Sequence, residues 1–202
     1  MKATAETLPR TQRADARRNR EAVIEAAREL MAADGLDTQM DDIARAAGVG
    51  VGTVYRHFPT KEELVYALTE RRFGRLAELA RDALTEDDAG PAFERYLFRG
   101  AELQAIDRAL NEVMRDRPDA MQAAAQKVDL LELAREVMTR AQDAGHIRAD
   151  AVAEDIPMLM CGLGTSTPGS SGPFVSATSW QRFLAVIIDG LRAPGAAPLP
   201  PR

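Results

Sequence analysis

Cysteine, aromatic residues and long apolar runs are all scarce in this sequence. The one cysteine among 202 residues, Cys161, has no partner for an internal disulfide and cannot build a zinc site by itself. Aromatic residues make up 5% of the chain, which favours helices over sheets. No apolar run approaches the roughly 18 residues that a membrane-spanning helix needs, and the arginine-rich stretch 1–20 lacks the apolar centre of a secretory signal. We therefore expect a cytoplasmic protein with no membrane partner.

A net positive charge is also absent, although the charges are unevenly distributed. The chain carries −5 at pH 7, and this excess of acid lies in residues 60–202, which hold 17 basic and 22 acidic residues. Residues 1–59 hold nine of each. Within them a single acid, Asp15, accompanies five arginines, which are Arg10, Arg13, Arg17, Arg18 and Arg20. An acidic molecule with such a local basic patch can still bind a polyanion there.

Apolar residues recur at helical spacing through most of the chain, and no segment alternates as a half-buried strand would. Gly35 suits the left-handed position after a first helix, and Thr38 suits the N-cap of a second. Thr60 suits another N-cap, directly after the helix-ending Pro59. The predicted helices cover residues 14–33, 39–46, 50–58, 61–84, 91–115, 118–144, 151–166 and 176–192.

Residues 38–58 form the pattern of a helix-turn-helix, two short helices with a glycine turn between them. Ala44 is small where the two helices must cross, and Gly48 permits the sharp turn. The second of these helices begins Gly50-Val51-Gly52-Thr53. Small side chains there let the helix approach a DNA duplex closely, and the N–H groups of its first turn favour phosphate.

The stretch from Gly35 to Leu64 resembles the DNA-binding domain of the tetracycline-repressor (TetR) family. The resemblance extends beyond this stretch to about 45 residues within 23–68, and it rests on the pattern IAxxAGVxxGTxYxHFxxKxxL, which is specific. Residues 180–192 are similar to the last helix of many members. The middle of the chain, roughly 85–175, has no motif to transfer.

The resemblance implies an all-α homodimer of about nine helices per subunit. The expected boundaries are a disordered tail over 1–12, a helix-turn-helix domain over 13–60, a ligand-binding and dimerisation domain over 61–193, and a second disordered tail over 194–202. The positions that match the family's phosphate contacts are Thr38, Gln39, Tyr55, His57 and Lys61. Those that match its recognition face are Gly50, Val51, Gly52, Thr53 and Arg56.

The recognition face departs from the family in one respect. Residues 50–52 offer no polar side chain to contact bases, so direct readout falls on Thr53 and Arg56, with Tyr55 on a thymine methyl or a sugar. Sequence specificity then depends in part on the shape of the DNA. Phe58 is interpreted as a core aromatic. His57 is interpreted as a phosphate contact because no second His or Cys lies at metal-ligand spacing, and no metal is expected.

Two further surfaces follow from apolar residues in the second part of the chain. The last two helices predict a homodimer interface at Leu159, Leu163, Phe183, Leu184, Ile187 and Leu191, unless these complete the subunit's own core. Methionines and aromatics in the middle helices suit an adaptable apolar pocket, although they suit an ordinary core equally well. The candidate ligand-binding residues are Phe93, Tyr96, Leu97, Met114, Met121, Met138 and Met160.

The expected function is a ligand-responsive transcriptional regulator. It would repress by binding double-stranded palindromic operator DNA as a homodimer, and a small, largely apolar effector would release it. Two alternatives remain: a regulator whose C-terminal domain only dimerises, and a helical enzyme. An enzyme could draw on Ser166, Ser170 or Ser171 with His146, but no G-x-S-x-G elbow or preceding strand supports it. We expect no catalytic residue and no cofactor.

Overall fold

The computed structural model describes residues 10–106, 118–164, 179–194 and 197–200. Within these residues the fold is all-α, as predicted: nine α-helices, one short 3-10 helix over Gly35–Asp37, and no strand beyond one isolated bridge. The helices are α1 (Arg10–Asp34), α2 (Met40–Ala46), α3 (Val51–His57), α4 (Lys61–Thr85), α5 (Ala89–Ile106), α6 (Pro118–Gln126), α7 (Leu130–Asp143), α8 (Asp155–Gly164) and α9 (Ser179–Leu191). None of the described helices is both long and apolar enough to cross a membrane.

The chain divides into two compact units, Met1–Leu68 and Thr69–Arg202, and the division falls inside α4. In the first unit, α1 packs on α2 and α3, and α2 packs on α3. Apolar side chains from each of these helices and from the start of α4 are buried together, since each helix is amphipathic. They include Val23, Ile24, Ala27, Ile43, Ala44, Val54, Phe58 and Leu64. Phe58 is therefore a core aromatic, as predicted.

The turn between α2 and α3 follows directly from its glycine. Gly48 has a φ of +66°, which a side chain would oppose. The N–H of Val49 donates to the carbonyl of Ala44 at 3.0 Å, and the N–H of Gly48 donates to that of Arg45 at 3.2 Å. This pair of bonds is the Schellman motif, which satisfies the last carbonyls of α2 and turns the chain toward α3.

The predicted N-cap at Thr38 is wrong, whereas the one at Thr60 is confirmed. α1 ends at Asp34, and Gly35 takes the expected left-handed φ of +71°. The 3-10 helix that follows brings the Thr38 hydroxyl to the carbonyl of Gly35, to which it donates at 2.9 Å. This local bond replaces capping, and α2 begins one residue later with Gln39 as its N-cap. At α4, the N–H of Glu63 donates to Thr60 Oγ1 at 3.2 Å.

In the second unit, α5 is the central helix and packs on α7, α8 and α9. Small residues let the helices approach closely, among them Ala80 and Ala83 of α4 and Ala134 and Ala141 of α7. The larger buried side chains of this core are Phe93, Leu97, Val137, Met138, Leu163, Leu184, Ile188 and Leu191.

The helix predicted over residues 118–144 is broken in the structure. α6 ends at Gln126 and α7 begins at Leu130, because Asp129 adopts a left-handed φ of 52° and the chain turns there. Asp tolerates this conformation better than most residues. Several helix ends also differ: α1 starts at Arg10 instead of residue 14, α5 at Ala89 instead of residue 91, and α8 at Asp155 instead of residue 151. Residues 107–115 of the predicted fifth helix lie outside the described residues.

Two sets of tertiary hydrogen bonds join helices of the second unit. The Arg140 guanidinium of α7 donates to the carbonyls of Ala83, Leu84 and Glu86 at 3.1, 2.8 and 2.9 Å, so it caps the C-terminal end of α4. The segment after α7 pairs with the end of α9 and the residues after it: the N–H of Arg148 donates to the carbonyl of Leu191, and the N–H of Ala193 donates to that of His146, each at 2.9 Å.

Candidate nucleic-acid interface and ligand cavity

α3 has one buried side and one open side. Val54 is fully buried, and it anchors the helix in the first unit. Val51 and Arg56 are exposed, and the Tyr55 side chain is 47% exposed, too open for a core aromatic. Thr53 is half-buried beside them. The residues with the predicted recognition role thus share the outer surface of one short helix.

Packing within the subunit does not require glycine at Gly50 or Gly52. A Cβ built at either position meets no atom of the described structure within 4 Å. Neither residue has the positive φ that explains Gly48. The bare backbone at this end of α3 therefore leaves room for something outside the subunit.

Basic side chains from two helices meet at the other end of α3. The Arg20 guanidinium of α1 lies 5.2 Å from the centre of the Phe58 ring. Partial burial lowers the pKa of His57, and the positive charges of Arg56 and Arg20 lower it further. His57 Nε2 is buried and has no hydrogen-bond partner among the described residues. The cluster of Arg20, Arg56 and His57, which we call the basic cluster, therefore combines two cations with an imidazole whose pKa is held below its ordinary value by burial and by these charges.

The remaining predicted phosphate contacts occupy different environments. The Thr38 side chain is buried and bonded to Gly35, as described above, whereas Gln39 is exposed and its Nε2 donates to the carbonyl of Asp37 at 2.6 Å. Lys61 is half-buried at the first residue of α4. Of the arginines before Arg20, Arg18 is exposed and forms an ion pair with Asp15.

The second unit contains a cavity of about 500 Å³ between α4, α5, α6, α7 and α8. Four of the predicted ligand-binding residues line it: Tyr96, Leu97, Met121 and Met160. Phe93 and Met138 are instead buried in the core and are not among the described lining residues. Met114 lies outside the described residues.

Sequence reasoning missed the polar groups of this cavity. Arg72 and Gln104 line it, and both are more than nine-tenths buried, as is Tyr96. Gln104 Nε2 donates to the carbonyl of Met160 at 2.5 Å. A signal for Arg72 was present, because it lies four residues from both Leu68 and Leu76 and so interrupts the apolar face of α4.

The predicted dimer-interface residues divide between core and surface. Leu163, Leu184 and Leu191 are buried in the subunit's own core, while Leu159 and Ile187 are partly buried against it. Phe183 is exposed and lies 3.7 Å from a Cβ built on Gly162, so α8 and α9 pack closely there.

Two residues without a predicted role are the most exposed apolar side chains of α8 and α9. Met158 is 74% exposed and Val186 is 64% exposed. Together with Phe183 they form what we call the α8–α9 apolar face. The periodicity of these helices could not identify this face, because apolar residues occur on several sides of both.

Of the alternative catalytic group, only His146 lies in the part of the chain that the structure describes. His146 is exposed, with its Nε2 3.9 Å from Asp88 and its ring against the backbone at Gly90. Ser166, Ser170 and Ser171 lie outside the described residues.

Two family models match the chain and together cover both units. The model described as bacterial regulatory proteins, tetR family, matches residues 23–68. The model described as transcriptional regulator SbtR-like, C-terminal domain, matches residues 88–193, which is more than half of the chain. These matches define a bacterial transcriptional regulator with an N-terminal DNA-binding helix-turn-helix.

Individual relatives agree with the models. A TetR transcription regulatory protein from Mycobacterium vanbaalenii is 36% identical, and its solved structure matches 90% of this chain and 99% of its own at a TM-score of 0.66. The TetR regulator SCO0520 from Streptomyces coelicolor is 27% identical over 88% of this chain and 99% of its own, at a TM-score of 0.64. The chain belongs to the TetR family.

A curated HTH-type transcriptional regulator of Staphylococcus aureus is 32% identical over 88 residues. That match covers 43% of this chain and 46% of the relative, so the chain spans less than half the length of this curated relative.

Proposed function

We propose that this regulator is a cytoplasmic homodimeric repressor of a palindromic operator, and that a small, largely apolar effector releases it. Residues 13–60 would bind DNA, and residues 61–193 would dimerise and bind the effector. The observation that carries this proposal is the open, glycine-rich surface of α3 next to the basic cluster, in a chain whose second unit holds a partly open cavity.

The surface of α3 supports distinct roles for its residues. Gly50, Val51 and Gly52 would let α3 lie deep in the major groove, where Thr53 and Arg56 donate to base edges. The backbone contacts would come from Gln39, Tyr55, His57 and Lys61, which carry donors suited to phosphate. Thr38 would contribute through its position at the start of α2, since its side chain is bonded to Gly35.

The α8–α9 apolar face supports the dimer. The exposed apolar side chains of this face, Met158, Phe183 and Val186, lie on two helices that pack together. Such a group of exposed apolar residues is typical of an interaction site, whereas single scattered ones are not. Pairing this face with a second copy would form a four-helix bundle across a twofold axis. Leu159 and Ile187 would lie at its edge, and Leu163, Leu184 and Leu191 would support it from the core.

The cavity supports release by an effector. Its volume is within the usual range for small-molecule sites, roughly 300–1,000 Å³. The fold neighbour RolR, whose solved structure holds resorcinol, matches 95% of this chain at 21% identity and a TM-score of 0.59. Arg72, Phe73 and Leu76 of α4 line the cavity, and the same continuous helix begins at Lys61 beside the predicted DNA contacts. An occupant that moves α4 would therefore change the distance between the DNA-binding domains of the two subunits in the dimer.

The test begins with selection of bound sequences from random duplex DNA by the full-length protein. We expect an inverted repeat with half-site centres roughly 34–36 Å apart, or a multiple of one DNA turn. Binding of the selected DNA should weaken steeply as salt rises. Recovery of a single, asymmetric half-site would contradict the dimeric arrangement.

Two variants then separate the roles on the DNA. Lys61→Ala should weaken all sequences alike and reduce the salt slope by about one, as expected for one lost phosphate contact. Arg56→Ala should instead relax the preference for the selected sequence. A changed sequence preference in Lys61→Ala would show that these roles are assigned wrongly.

A further inference from the structure

We infer that the effector is an amphiphilic carboxylic acid, whose carboxylate pairs with Arg72 while its apolar body fills the rest of the cavity. This inference rests on the proposed function, since it assumes that the cavity is the effector site. It specifies the chemical class that this chain's own lining residues would select.

The cavity wall combines a large apolar area with a few buried polar groups. Phe73, Leu76, Leu97 and Ile156 supply apolar surface, with Met121 and Met160. The polar side chains more than nine-tenths buried in this lining are Arg72, Tyr96 and Gln104. A wall of this kind binds an apolar body and orients it by a few polar contacts.

Arg72 and Gln104 lie toward the same end of the cavity. α4 and α5 are joined by three residues and run antiparallel. They approach closely where Leu76 Cδ2 lies 3.3 Å from a Cβ built on Gly100. One turn earlier on α4 is Arg72, and one turn later on α5 is Gln104. The antiparallel arrangement therefore brings the guanidinium and the amide to one level.

The chemistry at this end favours an anion. A guanidinium has five N–H donors, more than a single partner uses, and its fork matches a carboxylate. Arg72 itself is buried, so water screens its charge less than that of a surface arginine, and it attracts an anion and repels a cation more strongly. The acidic lining residues Asp129 and Glu132 are both exposed, and Glu132 forms an ion pair with Arg135.

Tyr96 adds a second donor farther along the cavity. Burial raises the pKa of its hydroxyl to about 12, so the group is protonated at neutral pH and can donate to an acceptor on the ligand. The occupant therefore meets buried donors at two levels of a mostly apolar cavity.

The experiment compares head groups on one apolar body. Binding of decanoate, decanol and decylammonium to the full-length protein is measured by calorimetry at neutral pH, and 2-naphthoate with its alcohol and ammonium analogues repeats the comparison on a rigid body. We expect each acid to bind at least roughly tenfold more tightly than its alcohol, and the ammonium compounds to bind most weakly. Equal affinity for acid and alcohol, or no binding of either acid, overturns the inference.

Variants assign the preference to Arg72. Arg72→Gln should reduce the affinity for decanoate to that for decanol, whereas Arg75→Gln, which removes a charge from an exposed position of the same helix, should preserve the difference. Gln104→Glu should weaken decanoate and strengthen decylammonium, because it places a negative charge at the same end. Retained preference for the acid in Arg72→Gln overturns the inference. If Arg72→Gln does not fold, the inference is tested by the order in which the wild-type protein binds the three head groups and by the effect of Gln104→Glu on that order.

A separate measurement distinguishes this inference from the proposed function. The anisotropy of labelled operator DNA is recorded with the same six probes. An acid that binds without releasing DNA supports the acid-specific cavity and contradicts release. DNA release by decanol alone, with no binding of decanoate, supports effector control and overturns the acid-specific cavity.

Discussion

At the scale of single residues, a substitution at Gly52 should change the stability of the fold and the affinity for DNA in opposite directions. Replacing it by alanine adds a methyl group that meets no described atom, and alanine favours the helical backbone by up to about 1 kcal/mol. We therefore expect Gly52→Ala to keep or raise the free energy of unfolding while it weakens operator binding, because the methyl keeps α3 away from the DNA. Thermal melts and DNA titrations measure the two effects.

The chain offers a matched control for this substitution. Gly74 lies inside α4, and a Cβ built there also meets no atom within 4 Å. Gly74→Ala should give the stability gain without the loss of DNA affinity. Unchanged operator affinity in Gly52→Ala would show that α3 does not approach the duplex through this surface.

His57 should make operator binding depend on pH. In the free protein its pKa is held below the ordinary value by burial and by the charges of Arg56 and Arg20. A DNA phosphate beside the ring favours the imidazolium and raises that pKa in the complex, so binding takes up a proton. Operator affinity should therefore rise as pH falls from 8 to 6 and lose this dependence in His57→Gln.

The other histidine, His146, is the control for this titration. It belongs to the second unit, and His146→Gln should keep the pH dependence of the wild-type protein. The same dependence persisting in His57→Gln would place the titrating group elsewhere.

At the scale of helices, Arg140 ties the end of α4 to α7. Its guanidinium donates to the carbonyls of Ala83 and Leu84 in the last turn of α4 and to that of Glu86 just after it, where carbonyls run out of partners one turn ahead; the Ala83 carbonyl also accepts a longer bond, 3.4 Å, from the N–H of Glu86. Arg140→Ala should lower the free energy of unfolding by about 2–3 kcal/mol, since hydrogen bonds from a charged donor are lost to half-buried acceptors. Urea denaturation followed by circular dichroism measures this change.

Arg135 on the same helix provides the comparison. It pairs with Glu132 and Glu154 near the surface, where an ion pair contributes less than about 1 kcal/mol. If Arg135→Ala and Arg140→Ala lowered the free energy of unfolding equally, the bonds from Arg140 to α4 would contribute no more stability than a surface ion pair.

The proposed pairing of α8 and α9 with a second subunit predicts the effect of a buried charge. Val186→Glu places a carboxylate in the centre of the α8–α9 apolar face, where dimerisation would have to desolvate it. Sedimentation at micromolar concentration should show a dimer for the wild-type protein and a monomer for this variant. Val152→Glu, at an exposed apolar residue outside both helices, should remain dimeric. A dimer in both variants would move the interface to another surface.

At the scale of the whole molecule, effector and operator binding should be reciprocal. An effector shifts the protein only through a difference in affinity between the DNA-binding and released states. A difference of about 3 kcal/mol weakens the operator complex roughly a hundredfold, and linkage requires saturating operator to weaken effector binding by the same factor. Calorimetric titration of an inducing compound with and without operator DNA measures this. Equal affinities would leave a regulator whose C-terminal unit only dimerises.

The sequence by itself determined the first unit, because the signals there act over a few residues. Gly48 specifies its turn through a backbone conformation, Thr60 caps α4 through a bond three residues away, and the spacing of Ile43, Val54 and Phe58 selects the buried side of each short helix. The error at Thr38 arose because a hydroxyl can donate backward to Gly35 as readily as it can cap the helix ahead.

Only the tertiary structure decided the second unit's surfaces. Arg72 and Gln104 are 32 positions apart in the sequence, and they line one cavity only because α4 and α5 both border it. Likewise, α8 and α9 carry apolar residues on several sides, and packing against α5 decides that Leu184 is buried while Val186 is exposed. Periodicity identifies which residues can be buried, but the positions of neighbouring helices determine which of them are, because burial depends on contacts between segments far apart in the chain.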